Sequence, residues 1–160
     1  MMMAEKHTIS VLVENHFGVL ARVSGLISAR GFNIDSLTVS TTEEPTISRM
    51  TIVVDADALK LEQVKSQLNR LIDVIEVQEL KEGLFLDREL LLARVKTNGT
   101  TKAAVEAVAK QFGARLADAD DHSLVIEATG DTKKLDQLVD QLRPHGIVKL
   151  VRTGRVALEK

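Results

Sequence analysis

Apolar and polar positions alternate through residues 7–14 (HTISVLVE), with Ile9, Val11 and Val13 on one side. That two-residue period predicts a half-buried strand. Asn15-His16-Phe17-Gly18 interrupts it, and the period then lengthens. Val19, Leu20, Val23, Leu26 and Ile27 form one helical stripe, and Gly31 follows as a C-terminal stop. Residues 32–41 (FNIDSLTVST) return to β-formers, but the apolar parity changes between Ile34 and Leu37, which predicts a bulge. Residues 42–46 (TEEPT) read as a turn, and residues 47–54 as a third strand. Leu61, Val64, Leu68 and Leu71 mark a second helix, and residues 73–80 a fourth strand.

The same order then recurs. Residues 81–88 carry charge and Gly83 and read as a linker. Residues 89–96 are an apolar strand, and residues 97–101 contain the Asn98-Gly99 turn signal. Val105, Val108, Ala109 and Phe112 form a helical stripe. Two short strands, 115–119 and 123–129, flank Asp120-Asp121. Leu135, Leu138, Val139 and Leu142 form the last stripe, ended by Arg143-Pro144, and residues 147–152 the last strand. Each half is βαββαβ, so the predicted class is α+β, with two ferredoxin-like domains at 1–80 and 89–160. Units of this size bury a limited share of their surface, and each sheet carries helices on one face only. Both facts predict association into a dimer.

Composition narrows the functions. Of 160 residues, 21 are Lys or Arg and 23 are Asp or Glu, a net charge of −2. Such a chain has no bulk positive field for nucleic acid or an anionic membrane. Cysteine is absent, which excludes thiol catalysis and Cys-ligated metals. Trp and Tyr are absent too, so no base-stacking platform is expected. The four histidines (7, 16, 122 and 145) lack an i, i+4 pair, and no metal site is expected. Asp55 and Asp57, and Asp118, Asp120 and Asp121, read as a helix entry and a hairpin turn, without the spacing of a calcium loop. GxSxG, Walker A and GxGxxG motifs are missing, and no convergent acid–base set is visible, so catalysis by this chain is not expected. The first residues (MMMAEKH) carry no targeting pattern, and no apolar run approaches the roughly 18 residues of a membrane span, which leads to a cytoplasmic expectation.

The strongest site signal is the first strand-to-helix junction. A helix start presents unpaired N–H groups and positive dipole character, which suit a carboxylate. Gly18 permits close approach to the backbone, Asn15 supplies an amide, and Val19 and Leu20 supply apolar wall. Those features fit a receptor for a small aliphatic amino acid. Taken locally, they fit an Asn-capped turn with glycine chosen for its dihedral angles better still.

Two strings carry a family resemblance: ARGFNIDSLTVS, residues 29–40, and PTISRMTIVV, residues 45–54. Over residues 7–80 the chain resembles the N-terminal ACT domain of the small, regulatory subunit of acetolactate synthase, and the second half is collinear with that family's second ferredoxin-like domain. The resemblance implies a non-catalytic subunit in branched-chain amino acid biosynthesis. Such a subunit binds and activates a large catalytic subunit and confers feedback inhibition by valine. Thiamine diphosphate, Mg²⁺ and FAD are then expected on that partner, and no cofactor on this chain. The resemblance places the effector between two ACT domains of a homodimer. Asn15, His16, Phe17, Gly18, Val19 and Leu20 would come from one chain, and Asn33 and Ile34 from the other. His16 and Phe17 are bulkier than the residues many family members have here. Pro45 and Arg49, around the exposed turn, are candidate contacts to the catalytic subunit. The alternative reading is a free-standing amino-acid-sensing ACT protein acting on another partner.

Overall fold

The computed structural model describes residues 5–160, and the chain divides into two compact units. The first runs up to Leu86 and includes Arg155–Lys160; the second is Asp87–Gly154.

In the first unit, β1 (Glu5–Glu14), α1 (Val19–Ala29), β2 (Ile34–Thr41), β3 (Ile47–Ala56), α2 (Ala58–Leu68) and β4 (Val74–Leu80) follow in order. The strands form one antiparallel sheet in the order β2-β3-β1-β4. Hydrophobic register holds the pairing: Ile9 lies opposite Ile52 and Val11 opposite Met50. Slipping by one residue would turn this whole set to the other face. The expected irregularity in β2 is present as a register shift between Ile34 and Ser36. Ile9, Val11 and Val13 pack against Val19, Val23 and Ile27 of α1 and Leu61, Val64 and Leu68 of α2. Asp57 accepts a hydrogen bond from Lys60 N at 2.9 Å and caps α2, the helix-entry role its position suggested. α2 ends at Leu68, so Leu71 packs from the following turn rather than from the helix.

The opposite face of this sheet is polar yet largely covered. Thr8, Ser10 and Thr51 are buried. Arg49 Nη1 donates to Ser10 Oγ at 2.8 Å, and Arg155 Nη1 donates to Thr8 Oγ1 at 2.7 Å. Residues 155–160 therefore group with the first unit, whereas the expected second domain ran from 89 to 160. Arg155 also stacks 5.7 Å from the Phe85 ring centroid, and Lys160 N donates to Leu84 O at 3.0 Å. The expected linker 81–88 is likewise partly structured. A turn closes from Leu84 N to Lys81 O, and a strand already begins at the buried Phe85.

In the second unit, β5 (Phe85–Lys96) leads to α3 (Lys102–Gln111), β6 (Arg115–Ala119), β7 (Ser123–Gly130), α4 (Thr132–Leu142) and β8 (Ile147–Arg152). The sheet order is β6-β7-β5-β8, the same arrangement as before, and β9 (Val156–Glu159) pairs with β5. Leu91, Ala93 and Val95 face Leu124, Ile126, Leu135, Leu138 and Leu142 in the core. Asp131 caps α4 through Lys134 N at 2.8 Å. Both halves thus adopt the α+β, ferredoxin-like plan. Among the described residues no helix is long and apolar enough to cross a membrane.

Candidate functional site

β1 ends at Glu14, and the chain must reverse within four residues to start α1. Gly18 makes the reversal possible by taking φ +83°, a left-handed conformation that side chains disfavour. It is the N-cap residue and has no side chain to cap with. Asn15 does not cap the helix in its place. Its Nδ2 donates to Pro45 O at 2.9 Å, and its backbone N to Thr46 O at 2.7 Å, tying the junction to the β2–β3 turn. Within the first turn, Val19 N reaches His16 O at 3.5 Å and Arg22 N bonds Gly18 O at 3.0 Å. Among the described residues, the N–H groups of Leu20 and Ala21 have no hydrogen-bond partner. Two adjacent donors at the positive end of a helix therefore face solvent, ready for an oxyanion.

The apolar candidates separate. Val19 is 3% exposed and belongs to the core, so its side chain supports the junction from beneath. Leu20 is 45% exposed and Phe17 fully so. These two are free to form wall above the open N–H groups. Asn33 is exposed and Ile34 half-buried against the core, and both lie beyond the far end of α1. Eleven helical residues span about 16 Å. One chain thus brings Asn15, His16, Phe17, Gly18 and Leu20 together and leaves Asn33 and Ile34 at the other end of the helix.

His16 is fixed by a partner that local sequence patterns did not single out. Asp73, buried in the turn just before β4, approaches His16 Nε2 through Oδ1 at 2.9 Å and Arg22 Nη2 through Oδ2 at 2.8 Å. His16 Nε2 also lies 3.2 Å from Glu14 Oε2, and its Nδ1 lies 3.3 Å from Phe17 O. Both ring nitrogens lie beside oxygen atoms of the chain. Glu14, His16 and Asp73 hold donor atoms within 4.8 Å of one another, a grouping metal ions favour. Here the Arg22 guanidinium and the imidazole already answer the two carboxylates. The one signal for Asp73 was its position, beside Leu71 and Val74 where the last strand must pass the end of β1.

Pro45 is exposed in its turn and meets the junction through its carbonyl. Arg49 is half-buried on the polar sheet face, where it donates to Ser10 Oγ. It lines a crevice of about 250 Å³ with Thr38, Ser40, Thr51 and Val156.

Comparison with known proteins agrees with this architecture. Residues 9–76 match the family model described as the acetohydroxyacid synthase (AHAS) small subunit-like ACT domain, and residues 88–160 the model described as the small subunit of acetolactate synthase. The probable acetolactate synthase small subunit of Archaeoglobus fulgidus is 50% identical over 96% of both chains. The acetolactate synthase small subunit of Mycolicibacterium smegmatis is 46% identical over 96% of this chain and 91% of its own. The crystal structure of the small subunit from Thermotoga maritima superposes with a TM-score of 0.89 at 30% identity, covering 98% of each chain. On these matches, spanning both units, the chain belongs to the acetolactate synthase small-subunit family.

Proposed function

We propose that this chain is the non-catalytic regulatory subunit of an acetolactate synthase, activating the thiamine-diphosphate-dependent catalytic subunit and making it sensitive to valine. The carrying observation is the pair of unpartnered N–H groups at Leu20 and Ala21, reached through a side-chain-free Gly18. The valine carboxylate accepts from these donors. The exposed side chains of Leu20 and Phe17 cover the isopropyl group, and a second chain contributes Asn33 and Ile34.

The requirement for a second chain follows from the ligand's size. Valine has about eight non-hydrogen atoms, so micromolar affinity, about −8 kcal/mol, asks for about −1 kcal/mol per atom. Such efficiency needs near-complete enclosure, which one open junction does not provide. Dimerisation through the first unit supplies it and keeps Leu20 and Phe17 from water. Thiamine diphosphate, Mg²⁺ and FAD belong to the catalytic partner in this reading. The Pro45 turn and the Arg49 crevice are the surfaces assigned to that partner, because Asn15 ties the turn to the effector junction.

Inhibition requires that valine favour one arrangement of the dimer over another. A coupling of about 1–3 kcal/mol between effector and partner suffices. A ligand indifferent to the two arrangements would regulate nothing, however tightly it bound. The test is reconstitution: the purified chain is mixed with the catalytic subunit and acetolactate formation is followed with and without valine. Activation that valine then suppresses supports the reading. Failure to activate overturns it in favour of a free-standing amino-acid sensor.

A further inference from the structure

We propose that the second unit holds a binding site of its own, for a small polar metabolite bearing a carboxylate or phosphate group. A cavity of about 730 Å³ opens at the junction of β5 and α3. This is the place in the second repeat that the β1–α1 junction occupies in the first, since each lies between the first strand and first helix of its unit. The volume is that of a small-molecule pocket and well beyond the needs of a single ion.

The chemistry of the walls differs from that of the first junction. Asn98 Oδ1 already accepts from Thr100 N at 3.0 Å and Thr101 N at 2.9 Å, so recognition must come from side chains. Lys96, His122 and His145 all line the cavity, and among the described residues none of their side chains has a hydrogen-bond or ion-pair partner. Arg94 is engaged by Asp120 at 3.4 Å and Ser123 at 2.9 Å. Asp120 is committed in turn. It accepts from the N–H groups of His122 at 2.8 Å and Ser123 at 2.7 Å and from the Ser123 hydroxyl at 2.9 Å, contacts that hold its carboxyl below the usual carboxylate range. The unassigned charged and imidazole groups are therefore one ammonium, two imidazoles and the single carboxylate of Asp121. An oxyanion takes its hydrogen bonds from the first three, and Asp121 is left to accept from a ligand hydroxyl or amine. Val148 is the one aliphatic side chain of the lining apart from lysine and threonine carbons. With one aliphatic side chain in the lining, the ligand proposed here is a different one from the effector proposed for the first unit.

The test uses the full chain, isotopically labelled for NMR and titrated separately with inorganic phosphate and with citrate, against sodium chloride at matched ionic strength. We expect saturable shifts in the signals of Asn98, His122 and His145 with at least one probe, and the stronger probe identifies whether the site prefers phosphate or carboxylate. Lys96→Met should weaken that binding about tenfold, near the worth of one charge-assisted contact. The paired variant His122→Ala, His145→Ala should weaken it independently. Each variant is checked by its amide spectrum for an intact second unit. Non-saturating shifts equal to those from sodium chloride overturn the proposal, as does unchanged affinity in both folded variants. Valine titrated into the same sample reports on the first unit separately, so failure of either site is read without reference to the other.

Discussion

At Gly18 the backbone requirement and the proposed ligand requirement coincide. A Cβ added there would meet nothing within 4 Å, yet the φ of +83° strains any side chain by roughly 1 kcal/mol or more. Gly18→Asp should therefore fold and place a carboxylate beside the N–H groups of Leu20 and Ala21. The expected outcome is loss of valine inhibition with activation of the catalytic subunit retained. A reconstituted enzyme that stays fully valine-sensitive would remove the junction from the effector site. Asp73 tests the support of the same loop. Its partners His16 and Arg22 are about half exposed and recover hydration when it is removed. Asp73→Ala should thus cost only about 1–2 kcal/mol in urea unfolding, and weaken valine binding by calorimetry through the loosened loop. Asn15, Gly18 and Leu20 were legible as one strand-to-helix junction from their order along the chain. Asp73 was not, because it meets His16 only when β4 pairs beside β1.

Among the elements, the period of the apolar residues decided most of the outcome. The parity change in residues 32–41 announced the register shift in β2, and Asp57 announced the start of α2. Cap energetics give a check at this scale. Asp57→Ala removes the acceptor for Lys60 N and should lower stability by about 1 kcal/mol, with a small loss of helical circular dichroism. An unchanged denaturation midpoint would mean that solvent replaces the cap. α1 shows where the pattern stops being sufficient. Val19 and Leu20 both belong to its apolar stripe, yet one is buried and the other half exposed. Neighbours on a helix point about 100° apart, and only the packed sheet decides which of them it covers. β9 was not legible at all. Residues 156–159 (VALE) are too few for a period to show, and their pairing is with a strand distant in sequence.

Taken whole, the molecule is two repeats of one plan, with the chain's last six residues returned to the first unit. That return anchors the polar sheet face through Arg155, Thr8 and the Phe85 ring. Deleting residues 155–160 should destabilise the first unit by about 1–2 kcal/mol, the scale of one charged hydrogen bond and one cation–π contact. Thermal unfolding would measure it, and an unaltered melting curve would show the tail to be ornamental. Read from residues alone, the chain already showed the two βαββαβ units, the Asp57 entry to α2, the bulge in β2 and the strand-to-helix junction. All of these follow from local periods and from residues with particular backbone preferences. It took the packed fold to bring Asp73 and Arg22 against His16, to set Asn33 a helix-length from Gly18, to lay residues 155–160 on the first sheet, and to gather Lys96, His122 and His145 around a cavity. Each of these depends on strand pairing or helix packing between distant segments, where burial and hydrogen-bond satisfaction, rather than local preference, choose the partners.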